Sequence, residues 1–273
     1  MSKILITGNS GYIGSHLTNV LSENHITYGL DKTDSVIPVA KFYKQDITNV
    51  EFNIEDEFDC IIHLAAVVSV SESVLKPWLY YNTNINGTFN VLKNIKTKSF
   101  ILASTGCAEY MNNPYGISKK AAEDIVAQYC KEHNIDFTIF RFYNVIGATC
   151  RKPTNPDGLF WNLLKAKETG IFYLYGDDYN TKDGSAIRDY LHVNEVCHSI
   201  KNAINNHSNT IENLGHGIGM SVKEMVDIFK KVNDCDFQTV IMPRRDGDLE
   251  QSVLKNVSLY MTKLYDVKEY LKI

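Results

Sequence analysis

The six cysteines (Cys60, Cys107, Cys130, Cys150, Cys197 and Cys235) contain no CxxC pair. A chain of 273 residues needs no disulfide frame, so free thiols are expected. No apolar stretch is long enough to span a bilayer, and the longest, around Ile61–Val70, is interrupted by His63 and Ser69. Met1 runs straight into a strand pattern, without the apolar stretch and cleavage site of a secretory signal. No run of like charges stands out and the formal net charge is −4, which disfavours a nucleic-acid or membrane role driven by a basic field. The eight histidines are dispersed and no HExxH occurs, so no metal site is expected. No fixed-period repeat is apparent. With 44% hydrophobic and 22% charged residues, the composition is that of one large domain or two small ones. A cytoplasmic protein is the expectation.

Buried-strand patterns alternate with helical ones. Lys3–Thr7, Thr27–Leu30, Asp59–Ala66, Lys98–Ala103 and Phe137–Tyr143 read as strands. Tyr12–Leu21, Trp78–Ile95 and Tyr115–His133 read as helices, the last two opening just after Pro77 and Pro114. This order predicts an α/β protein with a doubly wound parallel sheet. The pattern weakens after Gly147, and Arg151–Gly158 reads as a loop. Then come a helix near Leu159–Glu168, a strand at Ile171–Tyr175, a turn at Asp177–Gly184, a strand at Asp189–Val193, a helix through Val196–Ala203 and a strand at Thr210–Leu214.

Gly8-Asn9-Ser10-Gly11-Tyr12-Ile13-Gly14 follows the first strand and opens the first helix. Glycines suit a tight turn, a close backbone approach to pyrophosphate and helix–sheet packing. The helix N-terminus offers free N–H groups to an anion. A glycine trio alone is weak evidence, since turns use glycine for steric reasons. Asp31 ends the next strand, close to the roughly 20 residues at which an acid meets the adenosine ribose. Its carboxylate would repel a 2′-phosphate, which favours NAD over NADP. Asp31 capping its own loop is the plainer alternative.

Tyr115-Gly116-Ile117-Ser118-Lys119 is a YxxxK. Residues at i and i+4 share a helix face, so the Lys119 ammonium can sit near the Tyr115 phenol. Bringing a phenol from about 10 to about 7 takes about 4 kcal/mol of anion stabilisation, after which it can act as a general base. A surface pair is the ordinary reading of YxxxK, but here it follows a strand of the nucleotide-binding sheet. That strand ends in Ser104-Thr105-Gly106, at the edge where ligands bind. Ordinary turn chemistry explains the same residues. Thr105 is preferred over Ser104 on motif position.

Together these features resemble the extended short-chain dehydrogenase/reductases, and within them the UDP-hexose 4-epimerase group. The resemblance spans nearly the whole chain. It rests on Thr7–His16, Ile62–Ala66, Glu72-Ser73 with Lys76-Pro77, Tyr80–Thr88, Pro114–Gly116 and Arg141–Asn144. The more specific late motifs are Gly176–Tyr179, Asp183-Gly184, Arg188–Val193, Asn213–Gly215 and Pro243–Asp248. It implies a Rossmann-type sheet over residues 1–146, to which 194–215 return, with a smaller, interleaved substrate domain at 147–193 and 216–273. It also implies NAD held along Gly8, Gly11, Tyr12, Ile13, Gly14, Asp31, Asp46, Ile47, Leu64, Ala65, Ala66, Tyr115 and Lys119. Tyr115 would take the 4-hydroxyl proton while NAD takes and later returns the C4 hydride through a 4-keto sugar. Thr105 would hydrogen-bond that oxygen. Asn84, Asn144, Tyr175, Arg188, Arg245, Asp248 and Ser252 would contact the UDP-sugar, and a homodimer would pack the helices after Pro77 and Pro114.

Departures from that pattern are specific. The segment between Thr105 and Tyr115 and the stretch after Asn144 are short, and Val68 stands where many epimerases carry a lysine. Ser252 matches a position whose small residue goes with N-acetyl sugars. A 4,6-dehydratase places Asp-Glu after its threonine, whereas Gly106-Cys107 stand here. A reductase using Cys107 as acid prefers NADPH, which Asp31 opposes. A non-catalytic NAD-binding sensor would tend to lose Tyr115 or Lys119.

Overall fold

The computed structural model describes residues 1–273 except Asn53, Thr262 and Leu264. The first part of the chain runs β1 (Lys3–Thr7), α1 (Tyr12–Ser22), β2 (Ile26–Asp31), β3 (Lys41–Lys44), β4 (Cys60–His63), α2 (Val70–Leu75) and α3 (Pro77–Tyr80). A π turn at Tyr81–Asn86 leads into α4 (Gly87–Asn94), followed by β5 (Ser99–Thr105), α5 (Cys107–Tyr110), α6 (Pro114–His133) and β6 (Asp136–Phe142). The remainder is β7 (Asn144–Ile146), α7 (Leu159–Thr169), β8 (Ile171–Tyr175), β9 (Ile187–His192), α8 (Val193–Ala203), β10 (Ile211–Leu214), β11 (Gly219–Ser221), α9 (Val222–Val232), β12 (Gln238–Met242), β13 (Gln251–Ser252) and α10 (Val267–Tyr270).

The large sheet has the order β10-β6-β5-β4-β1-β2-β3, and every pairing in it is parallel. Its central strands are apolar on both faces because helices cover both. Side chains alternate across the sheet as the strand period requires. Ile4 and Ile6 meet Leu17, Leu21, Val196 and Ile200 of α1 and α8. Leu5 meets Val91 and Leu92 of α4 and Ala122 and Val126 of α6 on the opposite face. The strand order reverses at β1, which pairs with β2 on one side and β4 on the other. Such a switch point opens a crevice at the carboxyl ends of its strands.

The chain leaves this sheet after Phe142. β7 already pairs with β9 of the second sheet, ahead of the expected boundary at 146. That sheet is β11-β9-β13 with β7 on β9, and β8 pairs with β12 apart from it. A separate core of Phe160, Leu163, Phe172, Leu174, Phe229 and Phe237 holds this lobe together. β10 returns to pair with β6.

The helix expected over Trp78–Ile95 is not continuous: the π turn at Tyr81–Asn86 interrupts it, and such bulges mark places where a helix carries an extra residue. α9 was outside the expected elements. Ser221 and Glu224 form its capping box, and that spacing is its mark in the sequence. β3 was also outside them, because KFYK lies at the sheet edge with polar ends and lacks a buried-strand pattern.

Candidate active site

A cavity of about 510 Å³ opens at the switch point, between the large sheet and the second lobe. Its floor is the turn from β1 into α1, where Gly8, Gly11, Tyr12, Ile13 and Gly14 line it. Gly8 has φ +74°, and a Cβ there would lie 2.8 Å from the Ala65 nitrogen. A Cβ on Gly14 would lie 2.1 Å from the Gly8 carbonyl oxygen. Gly11 at the N-cap offers α1 no side-chain cap, and no acidic residue stands in its first turn. The turn is therefore a backbone cradle with open N–H donors, which fits a pyrophosphate. Asp31 is tied to the cradle: Oδ2 accepts from the Ser10 N–H at 3.1 Å, and Oδ1 from the Thr33 N–H and hydroxyl at 3.0 Å each. Leu64 and Ala66, after β4, also line the cavity.

The chemistry-bearing wall is built from β5 and α6. Thr105 ends β5. Asn113 caps α6 by accepting from the Gly116 N–H at 2.8 Å, with Pro114 in the first turn. This cap places Tyr115 in the first turn and Lys119 one turn on, and both line the cavity with Thr105. Burial raises the Tyr115 phenol, and the nearby Cys107 thiol adds to this, while a hydrogen bond with Thr105 works the other way. Burial also pushes Lys119 down to about 8, with Glu123 opposing. Burial therefore sets how much anion stabilisation a nearby cation and hydrogen bonds must supply before Tyr115 can act as a base.

The second lobe supplies the facing wall. Arg188 on β9 donates from Nη1 to the Ile187 carbonyl at 2.9 Å and pairs through Nη2 with Asp248 at 3.6 Å. Arg245 lies over the Tyr175 ring, 3.8 Å from its centroid, and donates to the Asp157 carbonyl at 3.2 Å. Asn144 donates to the Asp189 carbonyl at 3.2 Å. Ser252 on β13 stands beside Arg188 in register. Asn144, Tyr175, Arg188, Arg245, Asp248 and Ser252 line the cavity, as do Asp157 and Gly158 at the start of α7, where Gly158 offers no side-chain cap.

Asp157 also bridges the two lobes. Its Oδ2 accepts from the Ser69 hydroxyl at 2.7 Å and the Ser71 N–H at 3.1 Å. Its Oδ1 accepts from the Ser71 hydroxyl at 2.8 Å. Burial works against its ionisation, but the Ser69 and Ser71 donors and the Arg245 charge outweigh it and hold the carboxyl below its ordinary value.

The profile of the NAD dependent epimerase/dehydratase family matches residues 4–215. The chain belongs to the NAD dependent epimerase/dehydratase family. The UDP-glucose 4-epimerase of Lactobacillus helveticus is 33% identical, over 92% of this chain and 88% of that one. The crystal structure of the Thermotoga maritima UDP-glucose 4-epimerase with UDP-glucose superposes with a TM-score of 0.85 at 27% identity, covering 99% of this chain and 96% of that one. The UDP-Glc/GlcNAc 4-epimerase of Campylobacter jejuni does so at 0.77 and 28% identity, covering 100% and 97%. The family's cofactor is NAD, and the cradle at Gly8–Gly14 with Asp31 at its edge suits it.

Several expected contacts lie elsewhere. Asn84 is buried on the π turn. Its Nδ2 donates to the Val67 carbonyl at 3.0 Å and the Ser118 hydroxyl at 2.9 Å, and its Oδ1 accepts from the Val67 N–H at 3.0 Å. With both donors spent it holds the backbone after β4 in place, and as a sugar ligand it is corrected. Asp46 closes its own turn by accepting from the Thr48 N–H at 2.9 Å and hydroxyl at 2.8 Å. Ile47 is a core residue packed with Val91 and Leu92, so only its main chain is left for a cofactor contact. The Ala65 N–H turns back to the Thr7 hydroxyl at 3.3 Å. Sequence reasoning missed Asp157 and the buried Glu123. Nothing in the sequence marks the first, whereas Glu123 follows Lys119 at i+4, the spacing by which Lys119 follows Tyr115.

Proposed function

We propose that this protein interconverts a UDP-hexose with its 4-epimer, with UDP-Glc and UDP-Gal as the first candidates and their N-acetyl counterparts next. The observation that carries this reading is the gathering of Thr105, Tyr115 and Lys119 on one wall of a single cavity, with the glycine cradle as its floor and Arg188 and Arg245 opposite. NAD, when bound, supplies a hydride acceptor and donor whose oxidised ring carries positive charge. Tyr115 takes the proton of the sugar 4-hydroxyl and later gives one back. Thr105 hydrogen-bonds the phenol and the reacting oxygen, which keeps the proton path short. Lys119 favours the phenolate and the developing alkoxide electrostatically. Arg188 and Arg245 suit the diphosphate, since guanidinium forks match phosphate oxygens. The Arg188–Asp248 pair and the Arg245–Tyr175 stack then open to take the nucleotide.

Ser252, a small side chain lining the cavity, supports acceptance of an N-acetyl group. No helix among the described residues is long and apolar enough to cross a membrane, and a cytoplasmic location is our reading. A homodimer is supported by exposed Trp78, Leu79, Phe89 and Ile117 on the helices after Pro77 and Pro114.

The test is turnover of UDP-Glc, UDP-Gal, UDP-GlcNAc and UDP-GalNAc, each alone, followed by NMR of the anomeric proton without added reductant. Appearance of the 4-epimer is expected. No conversion of any of them with NAD supplied would overturn the reading.

A further inference from the structure

Glu123 is fully buried within α6, one turn beyond Lys119 and two beyond Tyr115. Arg141 on β6 grips it with both arms of its fork: Nε to Oε1 at 2.8 Å and Nη2 to Oε2 at 2.7 Å. The Ser104 hydroxyl, next to Thr105, donates to Oε1 at 2.5 Å. A buried ion pair is weak evidence for stability, because desolvating both charges offsets their attraction. Its placement is more telling. We propose that Glu123, locked by Arg141 and Ser104, is a positioning residue that keeps Lys119 a cation beneath Tyr115.

The charges alternate in sign along this line. Arg141 is a permanent cation, Glu123 a carboxylate, Lys119 an ammonium, and Tyr115 an anion at the moment it holds no proton. Without Glu123, Arg141 and Lys119 would be like charges sharing a dry region, and the lysine is the one that can shed its proton. The Glu123 carboxylate is the opposing charge that favours the Lys119 ammonium against burial. Glu109 on α5 is the other carboxylate near Arg141, but it bears on Arg141 and Tyr143, whereas Glu123 is the one that bears on Lys119. His63 at the end of β4 is buried and held neutral, pushed down to about 3 by burial, with Lys119 adding to the effect. Tyr80, Cys107 and Tyr143 are all raised by burial first and so stay protonated. The same carboxylate anchors Ser104, so the strand end that carries Thr105 and the helix that carries Tyr115 share one fixed point.

This proposal rests on the roles given above to Lys119 and Tyr115, and its test does not require turnover. Protein labelled with ε-13C-lysine is titrated by NMR, free of NAD and loaded with it, and the Lys119 resonance is assigned by its loss in Lys119→Met. In Glu123→Gln the Lys119 midpoint is expected to fall by roughly one pH unit, with any alkaline limb of turnover falling alongside. A purely structural carboxylate would not move that midpoint. Should Glu123→Gln fail to fold, Glu123→Gln/Arg141→Leu removes the stranded cation, and its Lys119 midpoint is read against Arg141→Leu, since losing the arginine by itself raises Lys119. A midpoint within about 0.2 units of the parent in a folded variant overturns the proposal. Absence of epimerisation in the parent would count against the function alone, since the titration reads Lys119 regardless.

Discussion

The Arg245 guanidinium lies 3.8 Å from the centroid of the Tyr175 ring while it donates to the Asp157 carbonyl. One face of the ring is thus covered by a cation that the substrate's phosphates would attract. The stack is a cation–π contact, and the arginine leaves it at little cost when a stronger anion arrives. Arg245→Glu is expected to raise KM for the UDP-sugar by about 100-fold or more, with a smaller change in kcat, because it replaces a phosphate donor by a repelling charge. Steady-state kinetics across UDP-sugar concentration would show this, and an unchanged KM would remove Arg245 from the substrate wall.

Tyr115→Phe is expected to keep the fold and the cofactor site while turnover drops by about 10²- to 10⁴-fold, the usual worth of a positioned acid–base group. Circular dichroism and NAD titration alongside the NMR assay separate lost chemistry from lost structure.

Gly14→Ala tests the cradle. The added methyl would meet the Gly8 carbonyl oxygen at 2.1 Å, and a backbone atom cannot swing aside as a side chain can, so the turn itself must move. NAD affinity is expected to fall by at least about tenfold, measured by calorimetry, since the N–H donors move with the turn.

How much of this was legible in the sequence differs from part to part, for physical reasons. β1, β8 and the cradle were readable because an apolar run ending in glycine is a local signal. Tyr115 and Lys119 were readable because a helix converts sequence spacing into a shared face. Asn84 was not: a π turn that buries its amide against Val67 depends on packing between α4 and α6, which no local pattern records. Asp157 was equally hidden, because its partners Ser69 and Ser71 lie far away in the chain and come together only when the lobes meet. The burial of the Tyr115 phenol was not legible either, because spacing gives proximity of charges but not the depth at which they lie.

The bridge at Asp157 makes its own prediction. Asp157→Ala removes the acceptor for Ser69 and Ser71 and leaves the start of α7 with less to hold it to α2. Faster amide exchange is expected at 69–73 and 155–160, together with a KM raised by about tenfold, since a looser cleft must be ordered on binding. Unchanged exchange at both segments would show that the lobes are held by other contacts.

His63 sets a pH limit. Its Nδ1 shares a hydrogen bond of 2.7 Å with the Thr7 hydroxyl and its Nε2 one of 3.0 Å with Thr88. Burial, with the Lys119 charge behind it, pushes it down to about 3. The unfolded chain therefore binds a proton below about pH 6.5 that the folded chain refuses, so stability falls as pH drops. Between pH 7 and 5 this one residue is expected to cost about 2 kcal/mol. Urea unfolding at the two pH values should show the drop, and His63→Gln, less stable at pH 7, should show a shallower one.

The π turn at Tyr81–Asn86 acts as a counting device. An α-helix advances about 100° per residue and the wider π turn less, so the turn absorbs one extra residue while α3 and α4 keep nearly the phase of one continuous helix; deleting one residue would restore regular winding and shift the side chains inside the turn. Asn84 could then no longer meet Val67 and Ser118 together, and the backbone leading from β4 along the cavity would lose its tie. A one-residue length change here would thus reach the active site through the turn alone, with the flanking helices left in place, although the segment lends no side chain to the chemistry.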